Sequence, residues 1–130
     1  MKLLKIFVLS TVFIGFSFSY VCAAGNIERG KELFNDPGLG GSSFGVSCNT
    51  CHPDGRGLEG SGEADKKVWN SCLGEFKTIE DAINACIVTA NKGQPLDPKS
   101  KKMKDLVAYI KSLSRKFEKK TPSRKKAPGH

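Results

Sequence analysis

Cys48-Asn49-Thr50-Cys51-His52 is the stretch of this 130-residue chain whose residue types and spacing could do chemistry as a set. Two cysteines three apart, with a histidine directly after the second, form the spacing by which a c-type haem is attached. On one turn of helix, positions i, i+3 and i+4 share a face, so both thiols and the imidazole can meet one flat macrocycle. The thiols would add to the haem vinyl groups as two thioethers, and His52 would become the proximal iron ligand. A zinc site would need four ligands, and the only other histidine, His130, ends the chain. A redox CxxC would sit beside a βαβ pattern, which the sequence lacks. The expected cofactor is one covalent haem c with its iron.

The elements around the motif must deliver it and enclose it. Met1 to Ala24 opens with Lys2 and Lys5, continues as an apolar run from Ile6 to Val21, and closes on Cys22-Ala23-Ala24. That pattern describes a cleaved export signal over 1–24 and predicts a periplasmic or otherwise exported protein without firm membrane insertion. Val21 stands where a lipoprotein signal would carry a small residue before its cysteine, which argues against lipidation at Cys22. Beyond this leader stands one small domain, 25–114, whose marginal core an enclosed haem would help to complete. In an oxidising compartment the two remaining cysteines, Cys72 and Cys86, could form a disulfide.

The formal charge of +8 is unevenly placed. With the leader lysines removed it is +6, all of it carried from Arg115 onward, so 25–114 is neutral. Residues 115–130, basic and interleaved with Pro122, Pro128 and Gly129, read as a disordered tail. Such a tail aids solubility, and it suits docking to redox partner proteins with an acidic surface or to an anionic membrane surface. Nucleic acid is not an expected partner of an exported haem protein.

Asn26 predicts the cap of a first helix, from Ile27 to Asn35, with Ile27, Gly30, Leu33 and Phe34 on one face and Pro37 and Gly38 beyond its end. A Gly-rich loop then leads into the haem motif, and a second one comes after it, with Gly55, Gly57, Gly60 and Gly62 suited either to tight passage of backbone around the haem or to simple flexibility. Thr78 with Asp81 signals a helix from Ile79 to about Asn91, whose stripe of Ile79, Ile83, Cys86, Ile87 and Ala90 faces inward. Asp97 or Ser100 begins the last helix, where Met103, Leu106, Val107, Ile110, Leu113 and Phe117 recur at helical spacing. This stripe should pack on the first helix near Gly30 and Phe34, with Tyr109 at its flank. No run alternates as a strand does, so the predicted class is all-α.

With Gly30 and Phe34 in the first helix, Cys48 to His52 soon after, and Leu106-Val107-Ala108-Tyr109-Ile110 in the last, the chain resembles a class I monohaem cytochrome c. The resemblance implies a small fold of three to four helices wrapped around haem and a role carrying single electrons. In that family the distal methionine lies on the loop before the last helix, and Gly93 to Pro98 here has none. Ile83-Asn84-Ala85-Cys86, followed by Asn91, Gly93 and Leu96, instead resembles haem domains of thiosulfate dehydrogenases, and implies Cys86 as the distal ligand. Met103 is the alternative, while Cys72, a lysine or an open sixth position are further candidates. Leu33 to Pro37 and Ser47-Cys48 are also similar to one haem segment of bacterial dihaem peroxidases, though the chain holds one haem motif.

Two firm axial ligands leave iron no position for substrate, which predicts electron transfer with no acid, base or nucleophile and no enzyme activity. The leading expectation is thus an exported monohaem electron carrier. The alternative is a haem subunit or electron acceptor of a thiosulfate-type oxidising system. A haem peroxidase or a haem-based sensor are the remaining classes.

Overall fold

The first helix forms where its cap predicts. Asn26 Oδ1 accepts the Arg29 N–H at 2.9 Å, and α1 runs Ile27–Asn35. The computed structural model describes residues 24–71 and 73–120, the last five as backbone alone. The expected leader up to residue 23, Cys72 with its possible disulfide to Cys86, and 121–130 lie outside the described residues.

After α1 come a short 3-10 turn (Leu39–Gly41), a one-turn helix α2 (Cys48–Cys51), a second 3-10 turn (Pro53–Gly55), an antiparallel hairpin of β1 (Trp69–Ser71) and β2 (Gly74–Phe76), then α3 (Ile79–Thr89) and α4 (Lys101–Lys120). The hairpin departs from the all-helical expectation. Its strands are three residues long, too short for alternation to register, and they pair Trp69 with Phe76 and Ser71 with Gly74. The helical remainder is as expected. Thr78 caps α3 with its hydroxyl, accepting the Asp81 N–H at 3.1 Å and donating to the Asp81 carboxylate at 2.6 Å. Ser100, rather than Asp97, starts α4, accepting the Met103 N–H at 3.2 Å. The last helix continues to Lys120, so the first six residues of the expected tail are helical.

The core lies where α1 crosses α4. Phe34, Met103 and Leu106 are fully buried there, and the Phe34 and Tyr109 rings meet edge to face with centroids 5.2 Å apart. Each such side chain contributes roughly 1.5–3 kcal/mol through burial. Gly30 allows the close crossing, since a Cβ on it would stand 2.0 Å from the Asp105 carbonyl oxygen and 2.7 Å from Tyr109 Cβ. A buried carboxylate ties the same two helices. Asp105 accepts the Asn26 backbone N–H at 2.7 Å, and Lys101 Nζ lies 3.1 Å from both of its oxygens. The Asn26 bond first, and Lys101 after it, hold this carboxyl below the usual range against the opposing effect of burial.

A clasp joins the segment leading to α2 with the segment leaving α3. Gln94 N–H donates to the Gly40 carbonyl at 2.7 Å, and the Ser42 hydroxyl donates to the Asn91 carbonyl. Beside it, the Asn84 amide bonds both the N–H and the carbonyl of Leu96, each at 2.8 Å. The loop before α4 is thereby pinned to α3.

Candidate haem site

A helix of four residues is too short to be stable by propensity, so α2 depends on its cap. Ser47 Oγ accepts the Thr50 N–H at 3.3 Å while Thr50 Oγ1 accepts the Ser47 N–H at 3.2 Å, a reciprocal box with Thr in place of the usual Glu or Gln, which is why its residue types alone did not signal it. The turn brings Cys48, Cys51 and His52 onto the rim of one cleft. Asn49 Oδ1 accepts the Asp54 N–H at 3.0 Å and folds the adjoining chain back beneath the motif.

His52 is oriented from behind. Its Nδ1 lies 2.9 Å from the Arg56 carbonyl, and a carbonyl only accepts, so Nδ1 carries the proton and donates. The lone pair is left on Nε2, the tautomer a metal-binding imidazole needs. The backbone can turn this tightly because Gly55 adopts φ +83°. A Cβ there would also stand 2.5 Å from Leu113 Cδ1, so this glycine serves close passage rather than flexibility.

The cleft is about 370 Å³, within the roughly 300–1,000 Å³ of cofactor sites. Its walls are mainly apolar: Phe34 from α1, Ile110 from α4, Ile79 and Ile83 from α3, and Leu58 and Trp69 from the intervening chain. Trp69 has its indole N–H bonded to the Ser61 carbonyl at 3.1 Å, which fixes its ring as one wall. Neither this tryptophan nor the hairpin bearing it was foreseen from the sequence.

Cys86 of α3 lines the same cleft as Cys48, Cys51 and His52. Burial pushes the Cys48 thiol up to about 11, and Cys86, close enough for its charge to be felt, adds to the rise. Met103 is elsewhere. It is fully buried in the core between helices and is not among the residues lining the cleft. Asn91, just past α3, does line it, is only 2% exposed, and its Nδ2 has no hydrogen-bond partner. Apolar walls, two thiols and an oriented imidazole on one turn, and one buried unsatisfied donor together fit a covalently held haem.

Comparison with known proteins agrees. Residues 29–118 match the family model described as SoxA/TsdA, cytochrome c domain. The chain is 37% identical over 90 residues to the L-cysteine S-thiosulfotransferase subunit SoxA of Chlorobaculum thiosulfatiphilum, covering 69% of this chain and 28% of that protein. The chain therefore spans under a third of the length of this curated relative. No solved structure matches. The expectation of a carrier with no enzymatic role is corrected here, because this relative is a subunit of an enzyme, a transferase of sulfur groups. Two firm axial ligands do not exclude such a role, since a haem domain can serve within an enzyme without its iron binding substrate. The mainly helical architecture and the resemblance to thiosulfate-type haem domains both hold, and the chain belongs to the SoxA/TsdA cytochrome c domain family, whose members bind haem c covalently and transfer electrons.

Proposed function

We propose that this chain is the monohaem c domain of an exported, thiosulfate-type sulfur-oxidising enzyme, with Cys48 and Cys51 as attachment points, His52 as proximal ligand and Cys86 as distal ligand. The observation that carries the reading is the presence of Cys86 in the cleft with His52, while Met103 packs in the α1–α4 core. Bound in the cleft, haem supplies a reversible one-electron centre. The polypeptide does the rest. The Arg56 carbonyl holds the His52 tautomer, the apolar walls exclude water, and Cys86 offers a sulfur whose anionic form favours ferric iron and lowers the reduction potential.

The proposal includes a leader over 1–24, and partners that are redox proteins or other subunits of the same sulfur-oxidising system. The basic residues from Arg115 onward suit an acidic docking surface on such a partner. Ferric holoprotein purified from the periplasm tests the ligand set by absorption and electron paramagnetic resonance. Low-spin thiolate signals should be lost in Cys86→Ala and kept in Met103→Leu. Survival of the signal in Cys86→Ala refutes thiolate ligation, and haem extracted by acidified acetone refutes covalent attachment.

A further inference from the structure

Lys104, Ala108, Lys111 and Arg115 recur along α4 at i, i+4, i+7 and i+11, which at roughly 100° per residue sets them in one row. The three cations are exposed. No acid interrupts the row. Asp105, the one acid between Lys101 and Arg115, is 3% exposed and turned to Asn26 and Lys101, and its pair with Lys101 is the one ion pair found among the described residues. Among those residues Lys104, Lys111 and Arg115 thus have no carboxylate within ion-pair distance. The row spans about 16 Å of helix whose opposite side packs on α1, so its charges are held on a rigid element and not on a loose tail.

Ile110, which lines the cleft, belongs to the buried row of Met103, Leu106, Ile110 and Leu113 on the far side of the same helix. The width of α4, about 10 Å, stands between the cleft and the basic row. A partner seated on the row therefore leaves the cleft free.

Charge and shape limit what covers such a row. Three unpaired cations call for anionic groups at matching intervals. A helix that lies on an anionic membrane carries large apolar residues beside its basic ones. Among the described residues the exposed large hydrophobics are Ile27, Phe44, Val68, Leu73 and Val88, and none of them is on α4. We propose that the outer face of α4 is an assembly surface for an acidic segment of a partner protein, separate from the side of the domain on which the haem cleft lies. The inference rests on the reading of this chain as one component of a larger enzyme and deepens it. The partner that holds the domain and the one that exchanges its electron can be engaged together.

The test uses full-length holoprotein, with poly-L-glutamate as the acidic probe and phosphatidylcholine vesicles containing phosphatidylglycerol as the lipid probe. Lys104→Gln, Lys111→Gln and Arg115→Gln together remove the row while keeping good helix formers. Lys31→Gln, Lys67→Gln and Lys77→Gln together remove the same charge from exposed sites elsewhere. At low ionic strength the α4 triple should bind poly-glutamate about tenfold more weakly than wild type, as three exposed ion pairs of ordinary strength would give, and with a shallower salt dependence. The control triple should stay within a factor of about two. Reduction of the haem by flash-generated lumiflavin semiquinone, an uncharged one-electron donor, should run at the same rate with and without saturating poly-glutamate. Equal losses in the two triples reduce the row to net charge and overturn the assignment. Reduction slowed by bound poly-glutamate places the probe over the cleft and also overturns it. An α4 triple that loses vesicle binding while keeping poly-glutamate binding gives the face to lipid and overturns it as well. Should a thermal melt show the triple to be unstable, Lys104→Gln with Arg115→Gln serves in its place. The ferric spectrum of the same holoprotein, through Cys86→Ala, decides the sulfur-oxidising reading separately.

Discussion

Replacing Gly30 by alanine sets two effects of opposite sign against each other. By helix propensity alone, Ala in the middle of α1 should stabilise by about 1 kcal/mol. The structure argues the reverse, because the added Cβ would lie 2.0 Å from a carbonyl oxygen of α4, where ordinary contact begins near 3.4 Å. Relief requires α1 and α4 to separate by more than 1 Å, and the obstacle is backbone, which cannot rotate aside. Separation loosens Phe34 from Met103 and Leu106, all at 0% exposure. A gap of 0.5–1 Å already forfeits roughly a quarter to a half of each contact's attraction. Overpacking of this kind costs about 3 kcal/mol at the upper end of its range, leaving a net loss of ~2 kcal/mol after the propensity gain. For a domain of this size that lowers Tm by about 10 °C. Thermal unfolding of holoprotein followed by circular dichroism measures it, with Lys31→Ala on the exposed face of α1 as a near-neutral control. A Gly30→Ala protein as stable as wild type, or more so, would refute the claim that this residue sets the helix spacing.

Asp105→Asn should cost about 2 kcal/mol at neutral pH, since a charge-assisted pair of contacts to Asn26 and Lys101 is weakened. The folded carboxyl titrates below its unfolded value of about 3.9, so its stabilisation is complete above that value and fades as pH falls through the folded pKa. Urea midpoints from pH 7 down to pH 2.5 should thus fall more steeply for wild type than for Asp105→Asn; parallel curves would contradict the assignment. Asn84→Ala removes both bonds to Leu96 and should destabilise by roughly 2 kcal/mol, with faster proteolysis between Gly93 and Pro98. Unaltered cleavage there would show that the loop is held by other contacts.

Local chemistry was legible and distant pairing was not. Asn26 and Thr78 are caps whose partners lie three residues on, so the starts of α1 and α3 could be read directly. The haem motif needs five consecutive residues and nothing else. Cys86 and Met103, by contrast, occupy equivalent places on apolar stripes, and periodicity cannot say that one stripe faces a cleft and the other a neighbouring helix. Asp105 looks like a surface acid paired with Lys101 at i−4; that it is buried under Asn26 depends on a contact spanning 79 positions. In the sequence Asn91 reads as the end of a helix and as part of a resemblance, because an unpaired amide exists only once the fold has removed its alternatives. The expectation of no enzymatic role failed for a related reason, since ligand geometry describes what iron can do and says nothing of whether a haem domain works within an enzyme.

The Gly40–Gln94 and Ser42–Asn91 clasp bears on the order in which this protein is assembled. It joins points about fifty residues apart, whereas the motif and its cap are complete within Ser47 to His52. Closing so long a loop is entropically slower than forming one turn, so the attachment turn takes shape before the wall behind Cys86 is drawn in. With haem attached at Cys48 and Cys51 as proposed, the cofactor would be joined to an open half-shell and the second half would fold over it.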